Sequence, residues 1–332
     1  MSLFGSKAAE PKDVQVQNPP TDSISALKWS PTADLLAAAS WSNEIRIYEI
    51  GQNGLNAGKA SYSHNAPALC VDWSKDGSKI ISGGADNAGR VFDATTGQSS
   101  QFAAHDAAIK CIKWIDAGQG LTLRYWDMRQ PSPVAQVQLP ERCYTMDCVH
   151  PLLAVGMAER HIQIFDLNNP GQAFKSIQSP LRAQIRTIAC FPDATGFALG
   201  TIEGRVAIQY IDDAKSAQNF SFKCHRKDLK GPQCQQVWAI NAISFHPAGT
   251  FSTAGSDGAI NIWDHRYRTR LKTWSDLGAP VSATDFNRTG QFLAYSLSYD
   301  WSMGYTGNTL QPPNKLMIHT CQEDEVKPRP KK

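Results

Sequence analysis

Long apolar runs are missing from this sequence, and their absence excludes one broad class of protein. No stretch approaches the roughly 20 apolar residues that a membrane-spanning helix needs. The first residues, Met1-Ser2-Leu3-Phe4-Gly5, also lack the apolar core of a secretory signal peptide. We therefore expect a soluble, intracellular protein with no membrane partner.

Paired cysteines are missing as well. The chain has eight cysteines but no Cys-x-x-Cys pair, and neither Cys224-His225 nor Cys148-x-His150 has the spacing of a zinc site. Several cysteines, such as Cys70 and Cys111, lie inside apolar strand-like runs. This placement is typical of buried free thiols in a reducing compartment, so we expect no metal site.

Catalytic motifs are also scarce. The sequence has no Gly-x-Ser-x-Gly, no glycine-rich phosphate loop and no distinctive pair of carboxylates. We expect a protein that is not an enzyme and that uses no cofactor. The formal net charge of +3 permits contact with nucleic acid but does not demand it, because dedicated binding domains tend to be more basic.

What the sequence does contain is a repeat. Six short β-rich units end in an aromatic or apolar residue next to an acid, at intervals of 34 to 53 residues. These endings are Tyr48-Glu49, Phe92-Asp93, Trp126-Asp127, Phe165-Asp166, Tyr210-Ile211-Asp212 and Trp263-Asp264. A period near 40 residues with Trp-Asp-like endings is typical of four-stranded propeller blades. The pattern predicts an all-β fold, a WD40 β-propeller.

Seven units can be counted, and the third is short. The units begin near Ile24, Ala68, Ile109, Arg142, Ile185, Ile240 and Val281. In units one and two, 19 residues separate the aromatic that ends the first strand from the aromatic of the third strand, whereas Trp114 and Trp126 are 12 apart. Asp116–Gly120 replaces the second strand of unit three. We predict seven blades, of which the third is shortened and irregular.

The chain ends are predicted to lie outside the regular blades. Residues 1–20 are polar and end in two prolines, so we expect a flexible segment. Within it, residues 13–17 alternate like a strand that could close the ring by pairing with the last blade. We assign 21–322 to the propeller and 323–332 to a basic C-terminal tail.

Antiparallel strands place the turns between the second and third strands of every unit on one rim. This rim receives Trp41 from unit one, Arg205 from unit five and Trp301 from unit seven, and the link after unit five adds Arg226. Exposed Trp beside Arg is typical of protein-binding hot spots, and guanidinium groups bind carboxylates in bidentate fashion. The alternative is that each arginine is a solvated rim charge.

A histidine network and a basic cluster complete the candidate residues. His64, Ser82 and Asp86 have the spacing of the hydrogen-bonded network that stabilises WD repeats, and this structural role is favoured over a catalytic dyad. Arg266, Arg268, Arg270 and Lys272 surround Tyr267 and could attract an RNA backbone. A solvated loop is the alternative for this cluster.

Several motifs resemble one known family. They are Leu139-Pro140-Glu141-Arg142-Cys143-Tyr144, Ser179-Pro180-Leu181-Arg182, the run from Gly200 to Ile208, Phe222–Arg226, Gly255-Ser256-Asp257-Gly258 and Ser298-Tyr299-Asp300-Trp301-Ser302. Together with the Lys-Pro-Arg-Pro-Lys-Lys end, they make nearly the whole chain similar to the WD40 messenger-RNA export factors of the nuclear pore, in their fungal form.

The resemblance implies a protein of the nucleus and nuclear envelope that shuttles to the cytoplasm and takes part in poly(A)+ RNA export. It implies that the GLEBS hairpin of an FG-nucleoporin binds on the upper rim, where residues matching Arg205 and Arg226 grip acidic side chains and a tryptophan matching Trp41 assists. It also implies weak contact with RNA and ties to mitotic spindle proteins.

Two alternatives remain open. The spindle-checkpoint WD40 adaptors share the Ile-Glu-Gly-Arg-Val-Ala and Phe-Lys-Cys-His-Arg runs, although Tyr299–Ser302 and Pro140–Tyr144 favour the export factors. A propeller whose main activity is RNA binding is the other alternative. The chain departs from both families in unit three, which lacks the expected Gly-Ser-Trp-Asp-like turn. A splice variant or an error in the gene model would produce such a gap.

Overall fold

The computed structural model describes residues 13–114, 123–126, 132, 135–229, 235–309 and 313–328. Three predictions fall wholly or partly on other residues. These are the flexible character of residues 1–12, the connection at 116–120 in unit three, and the basic end at 329–332, all of which lie outside the described residues.

Strands dominate the described chain. In order they are β1 (Val14–Gln15), β2 (Ile24–Trp29), β3 (Leu35–Ser40), β4 (Glu44–Ile50), β5 (Asn56–Ser63), β6 (Ala68–Trp73), β7 (Lys79–Gly84), β8 (Ala88–Asp93), β9 (Ser99–Ala104), β10 (Leu123–Tyr125), β11 (Ala135–Val137), β12 (Cys143–Val149), β13 (Leu152–Met157), β14 (His161–Asp166), β15 (Lys175–Gln178), β16 (Ile185–Cys190), β17 (Gly196–Thr201), β18 (Arg205–Tyr210), β19 (Phe220–Lys223), β20 (Arg226–Asp228), β21 (Gln235–Val237), β22 (Ile240–Phe245), β23 (Phe251–Gly255), β24 (Ile260–Asp264), β25 (Thr269–Trp274), β26 (Val281–Phe286), β27 (Phe292–Leu297) and β28 (Lys315–Thr320).

Helical structure is limited to short turns. The 3₁₀ turns are Gln52–Gly54, Ala158–Arg160, Asp213–Gln218 and Gly304–Gly307, and the single α-helical turn of the described residues is α1 (Glu323–Val326). Glu325 and Val326 of α1 are buried. This acidic turn lies within the predicted tail at 323–332, and it packs against β25 and the last sheet.

The described strands form six four-stranded antiparallel sheets and two hairpins. Five sheets take consecutive strands, namely β2–β5, β6–β9, β12–β15, β16–β19 and β22–β25. The sixth joins the two ends of the chain in the order β1-β28-β27-β26, with Val14 opposite Ile318. The fold is an all-β propeller. The hairpin β10–β11 occupies the place of unit three, and β20–β21 is an insertion between units five and six.

The pattern of burial explains why each segment is a strand at its position. Second strands such as β13 and β17 are buried along their whole length, because both faces of the sheet pack against neighbouring sheets. Outer strands such as β19 alternate between partly exposed and exposed residues. In all six four-stranded sheets the first strand pair carries a register shift near the start of the first strand.

The hydrophobic core lies between the sheets. Val16, Ile24 and Leu316 belong to a cluster that joins the first and last sheets, and Tyr125 and Leu139 of unit three pack with Leu153 and Phe165 of unit four. First strands face a central channel of about 670 Å³, which residues 110–114 also line.

Buried charges tie the first strands together around this channel. Lys28 binds Asp285 of the last sheet at 3.1 Å, and Lys113 binds Asp147 at 2.7 Å. Burial opposes the charge on each group, but the opposite charge outweighs it. The pKa values of both lysines are therefore raised, and that of Asp147 is lowered.

Candidate partner-binding rim

The turns that follow β3, β7, β13, β17, β23 and β27 lie at one end of the propeller, which we name the upper rim. Trp41 follows β3 and Trp301 follows β27, in the first and last sheets. Their rings stack with centroids 3.9 Å apart and an angle of 25° between the planes. Both side chains are partly exposed, so the pair forms a two-ring aromatic surface.

Asp300 fixes the backbone beside Trp301. Its carboxylate accepts hydrogen bonds from Ser256 and from Asn241 of unit six, and its backbone oxygen accepts one from Arg186 of unit five at 2.8 Å. Burial raises the pKa of Asp300, but the bonds from Ser256 and Ser302 outweigh it and the pKa is lowered. A charged Asp300 thus connects the last three units below the aromatic pair.

Arg205 projects from the turn between β17 and β18. This turn requires glycine at 204, because its φ is +57° and a Cβ there would lie 2.5 Å from the backbone oxygen of Cys224. The Arg205 side chain is partly exposed, and within the described parts of the chain its guanidinium has no hydrogen-bond or ion-pair partner. Its five donors are available to a ligand.

Arg226 lies at the same rim but is engaged. Its Nη2 donates to the backbone oxygen of Glu203 at 2.6 Å and its Nη1 donates to Oε1 of Gln235 at 2.8 Å. Nε donates to Gly204 at 3.3 Å. The expectation of two projecting guanidinium groups is therefore wrong for Arg226, because exposed carbonyls of the β17–β18 turn capture it. Arg226 instead holds the turn that presents Arg205.

Exposed apolar side chains border these residues. Ile202, Leu229 and Val237 lie around the arginines, and Met303 and Tyr305, which are 68% and 84% exposed, lie in the loop after Trp301. Sequence reasoning missed all five. For all but Ile202 the signal was present in the two long segments that interrupt the repeat, 226–239 and 301–314, since extra loop length on one rim is where binding residues concentrate.

The network predicted around His64 has the following geometry. His64 Nδ1 lies 3.0 Å from Asp86 Oδ1, and Nε2 lies 2.8 Å from the Ser82 hydroxyl. Tyr62, which the sequence did not point to, adds a hydrogen bond to Ser82 at 2.9 Å. Burial lowers the pKa of His64 despite Asp86. All the ring nitrogens are used internally, which suits a structural role.

A second network of this kind was missed. His225 Nδ1 lies 2.8 Å from Asp257, Nε2 lies 2.9 Å from the Thr253 hydroxyl, and Trp263 Nε1 donates to the same hydroxyl at 2.9 Å. The spacing of Asp257 and Trp263 could have revealed it. The insertion after His225 hid the pattern by separating the histidine from its own sheet.

The basic cluster lies at the opposite rim, around the β24–β25 turn and along β25. The Arg268 guanidinium covers the Phe220 ring at 4.5 Å, and that of Arg270 lies 5.9 Å from the Trp263 ring. Lys272 binds Glu325 at 3.1 Å. Arg266 and Arg270 remain exposed at the surface. In this cluster Lys272 is thus paired with a carboxylate, whereas Arg268 and Arg270 lie against aromatic rings.

The described residues contain neither a metal-binding cluster nor a membrane-spanning helix. No group of three or more His, Cys, Asp or Glu side chains there has the arrangement of a metal site. No described helix has the length and apolar character that crossing a bilayer would require.

Comparison with known proteins identifies the family. The chain is 49% identical to the Poly(A)+ RNA export protein of Schizosaccharomyces pombe over 352 positions, which cover all of this chain and 99% of the relative. It is 48% identical to the mRNA export factor GLE2 of Chaetomium thermophilum, over 96% of this chain and 93% of that protein. The chain belongs to the mRNA export factor family.

Other matches agree with the fold. The mRNA export factor of Xenopus tropicalis is 43% identical over the full chain and 96% of its own length. Residues 222–264 match the family model "WD domain, G-beta repeat", and residues 27–117 match the WD40 domain of anaphase-promoting complex subunit 4. The chain described here is therefore a WD40 β-propeller.

Proposed function

We propose that this protein is a non-enzymatic adaptor in poly(A)+ mRNA export, and that it docks at the nuclear pore by binding the GLEBS hairpin of an FG-nucleoporin on the upper rim. Full-length relatives whose names state RNA or mRNA export support the process. The proposed location is the nucleus and the nuclear pore in its envelope, with shuttling to the cytoplasm.

One observation carries the docking site: a stacked tryptophan pair lies on the same rim as a guanidinium that has no partner among the described residues. Trp41 and Trp301 offer a rigid apolar surface to a hairpin. Arg205 is the group that binds a carboxylate of the hairpin, and Arg226 positions the turn below it. Aromatic and Arg anchors of this kind commonly contribute most of the binding free energy.

The decisive measurement is the affinity of a GLEBS hairpin peptide for the wild type and for Arg205→Glu. Reversing an unpaired charge that faces an acidic peptide should cost about 2 kcal/mol or more, which is roughly a 30-fold weaker Kd. Arg270→Glu, at the opposite rim, is the matched control and should leave the Kd unchanged. Equal affinity for wild type and Arg205→Glu would reject the site.

Arg226→Glu tests the division of roles. It should also weaken binding, but together with loss of order in the β17–β18 turn, since the carbonyl of Glu203 loses its side-chain donor and that of Gly204 keeps only the Cys224 N–H. A pull-down from nuclear extract with the wild type then separates the two candidate adaptors. Recovery of checkpoint kinases without nucleoporins would favour the spindle-checkpoint adaptor.

Weak RNA contact is the second proposed activity, favoured by the exposure of Arg266 and Arg270. Binding to a polyadenylate oligonucleotide should weaken steeply with salt, and neutralising Arg266, Arg268 and Arg270 should reduce that salt dependence. If the triple variant keeps the wild-type salt dependence, RNA does not bind at this cluster. RNA affinity that exceeds the GLEBS affinity would favour a primarily RNA-binding propeller.

We also propose that unit three is a seventh, reduced blade. Residues 110–114 line the channel together with the first strands of the other units. Trp114 donates its backbone N–H to Asp72 at 2.8 Å, and Arg124 of β10 donates to Ala104 of the second sheet at 2.8 Å. A crystal structure in which 109–114 lies away from the channel wall would reduce the count to six.

A further inference from the structure

Two thiols meet where unit three joins unit four. Cys111 lies on the channel wall, and its Sγ is 3.8 Å from the backbone oxygen of Tyr144, the residue next to Cys143. The Cys143 Sγ is 3.7 Å from the backbone oxygen of Thr145, so the two thiols lie against consecutive carbonyls of β12. Both are free cysteines with partly exposed side chains.

We propose that Cys111 and Cys143 form a redox-modification site, at which a peroxide converts the two thiols into a disulfide between units three and four. The channel gives a small oxidant access to Cys111. The site lies beyond the proposed docking function, since it involves neither the upper rim nor the basic cluster.

The environment assigns different roles to the two sulfurs. A hydrogen bond with Cys143 lowers the pKa of Cys111, burial opposes this, and Lys110 and Lys113 assist. Lys113 also pairs with Asp147. The pKa of Cys143 is raised by the same hydrogen bond and by burial. Cys111 is therefore the attacking thiolate, and Cys143 resolves the product.

The reaction balances without a further reactant. The Cys111 thiolate attacks one peroxide oxygen, the O–O bond breaks, and hydroxide leaves, so that the sulfur becomes a sulfenic acid. The Cys143 thiol then attacks that sulfur, and water leaves as the S–S bond forms. In sum, two thiols and one hydrogen peroxide give a disulfide and two waters, and sulfur is oxidised as peroxide is reduced.

The expected consequence is mechanical. Segment 109–114 is not a strand and does not pair with a second strand among the described residues. A covalent bond to β12 would close the chain between residues 111 and 143 and restrict that segment in the unfolded state as well. Oxidised protein should therefore show a higher Tm than reduced protein.

The test is limited oxidation of the full chain with hydrogen peroxide, followed by alkylation of the remaining thiols and non-reducing peptide mass spectrometry. We expect a Cys111–Cys143 link to form several-fold faster than Cys321 loses its free thiol. A Cys70–Cys111 link in its place, or oxidation of Cys321 at the same rate, would overturn the proposal.

Two variants sharpen the result. Cys143→Ser should leave a sulfenic acid on Cys111 that dimedone traps, because the resolving thiol is gone. Cys148→Ser is the matched control on the same strand and should form the link as the wild type does. Absence of the Cys111 dimedone adduct from Cys143→Ser would show that Cys111 is not the peroxide-reactive thiol.

Discussion

In units three and seven, the chain does not build a four-stranded sheet from consecutive strands. We call these two places the unit three seam and the unit seven seam, and the missing strand is treated differently in each. In unit seven the missing strand is supplied by β1 from the other end of the chain. In unit three a two-stranded hairpin stands beside the irregular segment 109–114, held by Trp114–Asp72 and Lys113–Asp147 contacts. Comparison of the two seams shows that a distant segment can complete a sheet, whereas side-chain contacts only anchor an incomplete one.

The unit seven seam also has its own buried charges. His319 lies between Asp13 at 2.7 Å and Glu325 at 3.0 Å, and Lys272 binds the other oxygen of Glu325. Burial alone would lower the pKa of His319, but the bonds to Asp13 and Glu325 outweigh it and raise the pKa to about 9. One charged imidazolium therefore holds both chain ends.

The largest effect is expected on removing residues 1–17. The deletion takes away β1, the buried Val16 and the Asp13 partner of His319. The free energy of unfolding should fall by about 4 kcal/mol, from lost apolar burial and the loss of one of the two carboxylates that pair with the buried His319. Urea denaturation measures it. Deletion of 1–12 is the control and removes none of these contacts; an equal loss in both would refute the closing role of β1.

The next effect is a pH dependence at the same seam. Because the folded pKa of His319 is raised from 6.5 to about 9, its contribution is complete below pH 6.5 and is lost as the pH rises through 9. A shift of this size corresponds to about 3 kcal/mol. His319→Gln should remove this decline, measured as unfolding free energy against pH, and parallel curves would contradict it.

Glu325 determines how the stability of the same seam changes at acid pH. Burial raises its pKa, but His319 and the backbone of Gln322 outweigh this and lower the pKa to about 2. Its contribution is therefore present above pH 4.5 and is lost as the pH falls towards 2.

At the unit three seam, Asp147→Asn should cost about 2 kcal/mol. The amide leaves Lys113 without its closest counter-charge in a partly buried site, although Asp72 and Asp285 also contribute there. Chemical denaturation of Asp147→Asn beside Asp166→Asn, a change at the partly exposed end of β14, gives the measurement. Loss of no more than the control would show that the seam does not depend on this pair.

The smallest effect is expected at His105, which precedes unit three as His64 precedes unit two. Within the described residues no hydrogen bond to its ring is found, and its nearest aromatic ring is Trp126 at 6.4 Å. His105→Ala should change stability by less than about 0.5 kcal/mol. His64→Ala should cost about 2 kcal/mol, because Asp86 and Ser82 lose a buried partner. Equal losses would erase the contrast between the units.

The sequence predicts the features that follow from its repeat period and from the antiparallel order of its strands. The period located the strands, and the antiparallel order placed Trp41, Arg205 and Trp301 in rim turns. It could not show that Trp41 stacks on Trp301, because those residues meet only when the ring closes. Nor could it show that Arg226 turns inwards, since this depends on carbonyls of a turn more than 20 residues away. The seven-blade count and the domain limits remain predictions.

The stack of Trp41 on Trp301 bridges the first and last sheets, at the seam that β1 closes. A ligand that contacts both rings would stabilise the contact between the first and last sheets. It would also bind more tightly when that contact is intact. Ligand binding at the two tryptophans and closure of the propeller are thus thermodynamically linked. Loss of β1 pairing would therefore weaken ligand binding at the tryptophan pair.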